Sequence, residues 1–317
     1  MLLASQWARS GLTPPVFVAT VDHQLRAEAR QEAETVAQWA QTLGLAHRLL
    51  SWEGAKPQSR LMEKARDARY ALLCSFAHEV GADCLVTAHH ADDQVETILF
   101  RLLRGSGLKG LGGMQAVTWR GSLRHVRPLL AWPKAALVGI CEAAGHPYFE
   151  DPTNHNPAFA RTRMRDLARV LADHGLTSEH VLKLGQRAAG ADAALQARAQ
   201  SLAATLLEEK FGEDGGFKID ISTLRAEPPE IFERVLEMKI QAVASKNGYW
   251  RLNRLEALAA RIQDALLAQE SCSASLGGTV LHLTARGTLS IRPERNRRRG
   301  RATVASLKLG KDKLTAL

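Results

Sequence analysis

A chain of 317 residues, 45% hydrophobic and 24% charged, is long enough for two domains and a sizeable core. No apolar run approaches the length needed to span a bilayer. The start, MLLASQWARSG, has neither the basic segment nor the cleavage site of a secretory signal, so a cytoplasmic protein without a membrane partner is expected. The four cysteines, Cys74, Cys84, Cys141 and Cys272, form no CxxC pair, which argues against a disulfide scaffold, a zinc ribbon or a cysteine-held iron–sulfur cluster. The net charge of +9 is placed unevenly: ten Lys or Arg and two acids fall from Arg286 onward, leaving the rest nearly neutral. Such a tail suits a polyanion, or is simply a solvated terminus.

In chain order, VFVATV (16–21) predicts a strand that ends at Asp22 and His23. AEARQEAETVAQWAQTLG then has helical spacing and stops at Gly44, a C-terminal signal. LAHRLLSW predicts a second strand, apolar residues from Leu61 to Val80 a second helix, CLVTA (84–88) a short buried strand, and a further helix starts near Ala91. Strand and helix alternate as in βαβ crossovers, so a Rossmann-like parallel sheet covered on both faces is expected over residues 1–150. Ligands of such sheets sit beyond the carboxyl ends of the strands, where DHQLR (22–26) and HHADDQ (89–94) both fall. After residue 150 the turn-rich EDPTNHNPAF leads into helical stretches at 164–174, 177–210, 229–246 and 251–269, with an Asp/Gly-rich break at 212–216. GTVLHLTARGTLSIR alternates as two strands joined near Arg286-Gly287. A smaller, mainly helical domain with a terminal β-hairpin is therefore expected over 151–292, followed by a basic tail, 293–317.

The densest polar run is TAHHADDQVETILFRLLRGSG, residues 87–107. On a helix, Val95, Ile98, Leu99, Leu102 and Leu103 form one apolar stripe, and Asp93, Glu96, Thr97 and Arg104 the opposite face. Asp93 and Glu96, three apart, can converge on one ligand. Acids in a first turn also complement the helix dipole without any further role. That bland reading explains the signs of charge but not two histidines and two aspartates crowded after a buried strand. Adjacent His89 and His90 cannot easily face one ion, and no second cluster completes a shell, so no protein-held metal site is expected. Gly105, Gly107 and Gly110 spell G-x-G-x-x-G, but the run follows a helix, where a dinucleotide fingerprint needs a preceding strand. A flexible loop beside a substrate groove is expected instead.

VDHQLR, ARDARYALL, TAHHADDQVETILFRLLRGSGLKGLGGM, RPLL and EDPTN occur in the order seen in bacterial tRNA(Ile)-lysidine synthases, and the chain resembles that family over residues 1 to about 165 by motif. The resemblance implies an adenine-nucleotide-hydrolase-like α/β domain that uses ATP with Mg2+. It implies adenylation of the C2 oxygen of the wobble cytidine in a tRNA(Ile) with a CAU anticodon, then attack by the ε-amine of L-lysine and loss of AMP. On that basis Asp93 and Glu96 would hold and deprotonate the lysine amine, and Arg104 would meet phosphate or developing negative charge. Asp22, His23, His89 and His90 would line the nucleotide site, Arg161 and Arg165 would contact tRNA, and a homodimer is one assembly it allows. Two departures stand out. Thr162 occupies a position where the family usually has Asn. The family's SGGxDS loop is not in these 317 residues, the chain starting at the helix that follows it. Weak ATP binding and little lysidine formation by these residues alone are expected, from a late-placed start or an inactive RNA-binding remnant; the first is favoured because the later site residues are all present. A tRNA cytidine thiolase of the same fold is the enzymatic alternative, but it generally needs paired cysteines, and none are seen.

Overall fold

The structure, a computed structural model, describes residues 1–11, 14–26, 28–149, 160–211, 215–244 and 250–294. The connection at 150–159 and the basic residues from Arg295 onward lie outside it. The chain divides into two compact units, Met1–Ala193 and Ala194–Leu317.

In the first unit, helix α1 (Leu2–Arg9) precedes β1 (Phe17–Asp22), α2 (Ala29–Thr42) and β2 (Ala46–Ser51). β1 and β2 pair in parallel, Phe17 against Ala46 through Asp22 against Ser51, with α2 as the crossover helix packed on both. α2 ends as its sequence indicates: Gly44 takes a φ of +74°, and Leu45 N–H bonds back to Ala40 C=O. α3 (Leu61–Glu79) leads to β3 (Cys84–Val86), which pairs in parallel with β5 (Leu123–Val126). The parallel α/β architecture is therefore present, distributed over two sheets, β1–β2 and β3–β5–β4. The antiparallel member β4 (Val117–Arg120) turns into β5 through Gly121, whose φ of +63° suits a residue without a Cβ. Four-residue polar strands such as VTWR and LRHV carry too little periodicity to be read from sequence.

α4 (Ala91–Leu102) follows β3, and α5 (Leu108–Leu111) and α6 (Lys134–Ala143) complete the α/β part. α7 (Ala160–Asp173) and the start of α8 (Ser178–Thr205) belong to the same unit. The boundary expected at 150 thus moves to 193/194, because Met164 and Val181 bury themselves with Val95, Ile98 and Leu99 of α4. Leu102 and Leu103, expected on that stripe, are exposed, since α4 ends there.

The second unit contains the expected hairpin, β9 (Thr279–Leu283) against β10 (Thr288–Pro293), as part of a larger sheet. β6 (Glu208–Phe211), β7 (Gly216–Asp220) and β8 (Cys272–Leu276) join it in an antiparallel sheet ordered β6-β7-β10-β9-β8. The helical part expected here is joined by more strands than the one hairpin: five strands pack with α9 (Pro229–Val243) and α10 (Leu252–Ala268) over one core that includes Phe217, Ile219, Phe232, Ile240, Ile262, Leu283 and Ile291.

Candidate active site

Three hydrogen bonds fix the start of α4. Trp132 C=O accepts from Ala91 N–H at 2.9 Å, Asp92 Oδ2 from Lys134 N–H at 2.8 Å, and Asp93 Oδ2 from His90 N–H at 3.0 Å. The last of these satisfies a backbone donor just ahead of the first turn. Asp93 and Glu96, one turn apart, are 8% and 4% exposed, so this part of the polar face is covered. The cover is α7. Arg165 Nε donates to Glu96 Oε1 at 2.5 Å; Arg161 places Nη1 3.6 Å from Asp93 Oδ1 and Nε 4.0 Å from Glu96 Oε2. Glu96 Oε2 is buried without a hydrogen-bond partner. Burial pushes the Glu96 carboxyl above its ordinary range, and the Arg165 guanidinium offsets only part of that rise. Two buried acids are thus paired with two arginines, and one carboxylate oxygen is left without a hydrogen bond.

Beside them runs a buried chain of polar groups. Thr87 Oγ1 lies 2.8 Å from His89 Nδ1 and 2.9 Å from His125 Nε2. His125 Nδ1 accepts from Arg127 Nη2 at 3.0 Å and from Arg120 Nε at 3.3 Å. A neutral imidazole that accepts at Nδ1 must carry its proton at Nε2. His125 therefore donates to Thr87, Thr87 donates to His89 Nδ1, and His89 keeps its proton at Nε2. Burial, with Arg127 nearby in both cases, lowers each histidine to a pKa of about 4, so both are neutral at physiological pH. His89 thus sits in a buried network that shares the electrostatic surroundings of Asp93 and Arg161. His90 stands at the other side of the helix start, 3.5 Å from Asp92 Oδ2 and 3.6 Å from Asp93 Oδ2. Thr87 and Arg127 open two of the motifs quoted above, TAHHADDQ and RPLL, without any role assigned to them, and His125 had no sequence signal beyond being a polar residue in a short strand.

Asp22 and His23 end β1, as expected. Asp22 is buried and accepts from Gln24 N–H at 2.8 Å; with Gln24, Leu25, Arg26 and Arg30 it lines an open cleft of about 500 Å³. His23 Nδ1 is buried with no hydrogen-bond partner, and the ring meets Trp52 edge-on at 6.1 Å. A ring nitrogen buried without a partner, next in sequence to an acid that lines the open cleft, is a candidate polar contact for a bound ligand. No group of three or more His, Cys, Asp or Glu among the described residues is placed to hold a metal ion.

Two expectations are corrected. Arg104 lies beyond the last helical residue, exposed, with its guanidinium 4.5 Å over the Phe100 ring, a contact that involves neither acid. The glycine-rich exit is clamped. Arg101 Nη1 donates to Gly110 and Gly113 C=O, and the Gln94 amide exchanges two hydrogen bonds with the Met114 backbone at 2.8 and 2.6 Å. A Cβ on Gly113 would come within 2.7 Å of the Gln94 amide. Arg161 and Arg165, the residues expected to contact tRNA, face Asp93 and Glu96.

The PP-loop domain family matches residues 1–171. A tRNA(Ile)-lysidine synthase of Methylobacterium nodulans is 46% identical over 288 residues, 90% of this chain and 84% of the relative. One from Bradyrhizobium diazoefficiens is 39% identical over 91% of this chain and 82% of its own. Among solved structures, a U34-tRNA thiolase, NcsA of Methanococcus maripaludis with its [4Fe-4S] cluster, has a TM-score of 0.49 at 14% identity, covering 59% of this chain and 67% of the thiolase.

Proposed function

The chain belongs to the tRNA(Ile)-lysidine synthase family, with a PP-loop domain at its N-terminal end, and we propose that Asp93 and Glu96 form the pocket for the amine of its L-lysine substrate. The enzyme is a ligase that forms a carbon–nitrogen bond on tRNA(Ile) and uses ATP. The observation that carries the amine assignment is the pair of buried carboxylates, one with an oxygen left without a hydrogen bond, facing two guanidiniums.

On this reading the ε-ammonium of lysine takes over positive charge that Arg161 and Arg165 supply in the structure. ATP, when bound, supplies the adenylate that makes the C2 oxygen of the wobble cytidine a leaving group. A protonated amine is no nucleophile, so a base must remove one proton before attack. Glu96, with its affinity for protons raised by burial, suits that step, and Asp93, one turn away and buried with it, would help hold the ammonium before the proton leaves. Asp22 and His23 would hold the adenosine. Magnesium would be shared between nucleotide phosphates and at most one or two carboxylates. On the same reading the protein works in the cytoplasm, with its tRNA.

Calorimetric titration of L-lysine into the wild-type chain and into Asp93→Asn and Glu96→Gln tests the pocket. Removing either charge is expected to weaken lysine binding at least about tenfold while leaving tRNA affinity unchanged, since a hydrogen-bonded charge pair is worth about 1.5–3 kcal/mol. Equal lysine affinity in all three proteins would refute the assignment.

A further inference from the structure

A second charged feature lies between α3 and the β4–β5 pair, apart from the carboxylate pocket. Arg120 holds its guanidinium 3.5 Å from the centre of the Tyr70 ring, Arg66 lies 5.2 Å from the same centre, and Arg69 6.0 Å. Behind the ring, Arg127 is 6% exposed and donates to Gln115 C=O, Thr118 Oγ1 and His125, all neutral partners. Arg66, Arg69 and Arg120 have no ion pair with a carboxylate among the described residues. Asp67, the one acid beside them, lines the same cavity unpaired. The mutual repulsion is felt inside the protein: besides burial, Arg120 and Arg66 both lower the proton affinity of Arg127. Several guanidiniums gathered on one ring, with Asp67 the one acid at the cavity and in no ion pair, leave a net positive charge that an anion from outside can offset.

The cavity at this cluster, about 290 Å³, is lined by Arg66, Asp67, Tyr70, Ala71, Cys74 and Arg120. Two guanidinium forks approach it from different elements, Arg66 on α3 and Arg120 on β4. A phosphodiester carries two non-bridging oxygens on a tetrahedral phosphorus, which can each accept from a fork that approaches from a different side. We propose that this cavity is a phosphate site that grips a backbone phosphodiester of the tRNA. The assignment rests on the family-level reading that tRNA is the substrate. It differs from the nucleotide cleft in every lining residue. Tyr70 acts as the platform on which the two forks are held apart, and His125, neutral and fully buried, fixes Arg120 through its Nε.

The test uses Arg66→Gln, Arg120→Gln, the double variant, and Arg48→Gln as a charge-matched control from the Arg48–Glu79 surface pair. Affinity for tRNA(Ile) is measured against salt. Separately, alkylation of Cys74 is followed by peptide mass spectrometry with inorganic phosphate or chloride at equal ionic strength. Thermal melts establish that each variant is folded, and Arg120→Lys, which keeps the charge, should retain the tRNA slope if charge is what matters. The double variant should bind tRNA several-fold more weakly, with the slope of log affinity against log salt reduced by about 0.7–0.9 for one phosphate that is no longer neutralised; Arg48→Gln should change neither. Phosphate should protect Cys74 in the wild type and not in the double variant. An unchanged slope in a folded double variant, or equal alkylation of Cys74 with and without phosphate, would overturn the proposal. A wild-type protein that binds no tRNA(Ile) would instead count against the family-level reading, and the Cys74 measurement would then decide the anion site alone.

Discussion

Glu96 shows how one residue can be legible in type and illegible in setting. Its spacing from Asp93 follows from the sequence, because positions three apart share a helix face. Its burial does not, because the cover comes from Arg165, 69 residues further on. The same holds for His125, one histidine in a polar four-residue strand, whose role appears only when Thr87, His89, Arg120 and Arg127 meet it. That network yields a stability prediction. His89 and His125 fall from an unfolded value of 6.5 to about 4 in the folded protein, so between those pH values the unfolded chain binds more protons. Their contribution is intact above pH 6.5 and is lost as pH falls toward 4, by up to about 1.4 kcal/mol per pH unit for each histidine. Urea denaturation between pH 6.5 and about 5, above the range where most carboxylates titrate, should show this slope, and His125→Gln should flatten it. A wild-type stability that is level across this interval would contradict the buried, neutral assignment.

At the scale of elements, β1, α2, β2, α3, β3 and α4 were all legible from alternation, helical spacing and glycine stops. The β4–β5 hairpin and α6 were not, and the apolar stripe of α4 was carried one residue past its end because FRLL continues an apolar pattern that the helix abandons after Leu102. The α4 stripe meets α8 as well as α7, and the approach to α8 is close because Gly185 has no side chain. A Cβ there would fall 2.5 Å from Ile98 Cδ1 and 3.3 Å from Leu111 C=O. Ile98 is 1% exposed and has little room to yield. Gly185→Ala is therefore expected to destabilise by about 1–2 kcal/mol, overpacking outweighing the helical gain of about 1 kcal/mol from replacing glycine. Ile98→Val, which removes the clashing methyl group, should recover part of that stability, so that the double variant is more stable than the sum of single effects predicts. A simple stabilisation by Gly185→Ala would show that α4 and α8 are not packed this closely.

For the molecule as a whole, composition and motif order pointed to two parts, and the division was misplaced because a turn-rich segment resembles a linker. The fold puts its boundary further on, since α7 supplies Arg161 and Arg165 to the same unit as the carboxylates they cover. The arginine-rich end from residue 295 lies outside the described residues, so the polyanion-binding case now rests on the Arg66–Arg120 cavity within the first unit. The central claim is that this protein makes lysidine through the Asp93–Glu96 pocket. It is tested most directly in cells that produce the protein, by nucleoside mass spectrometry of tRNA(Ile) after depletion and resupply. Depletion should replace lysidine with unmodified cytidine, the wild-type protein should restore it, and Glu96→Gln at equal abundance should not. Lysidine that persists through depletion, or returns fully with Glu96→Gln, would contradict the account.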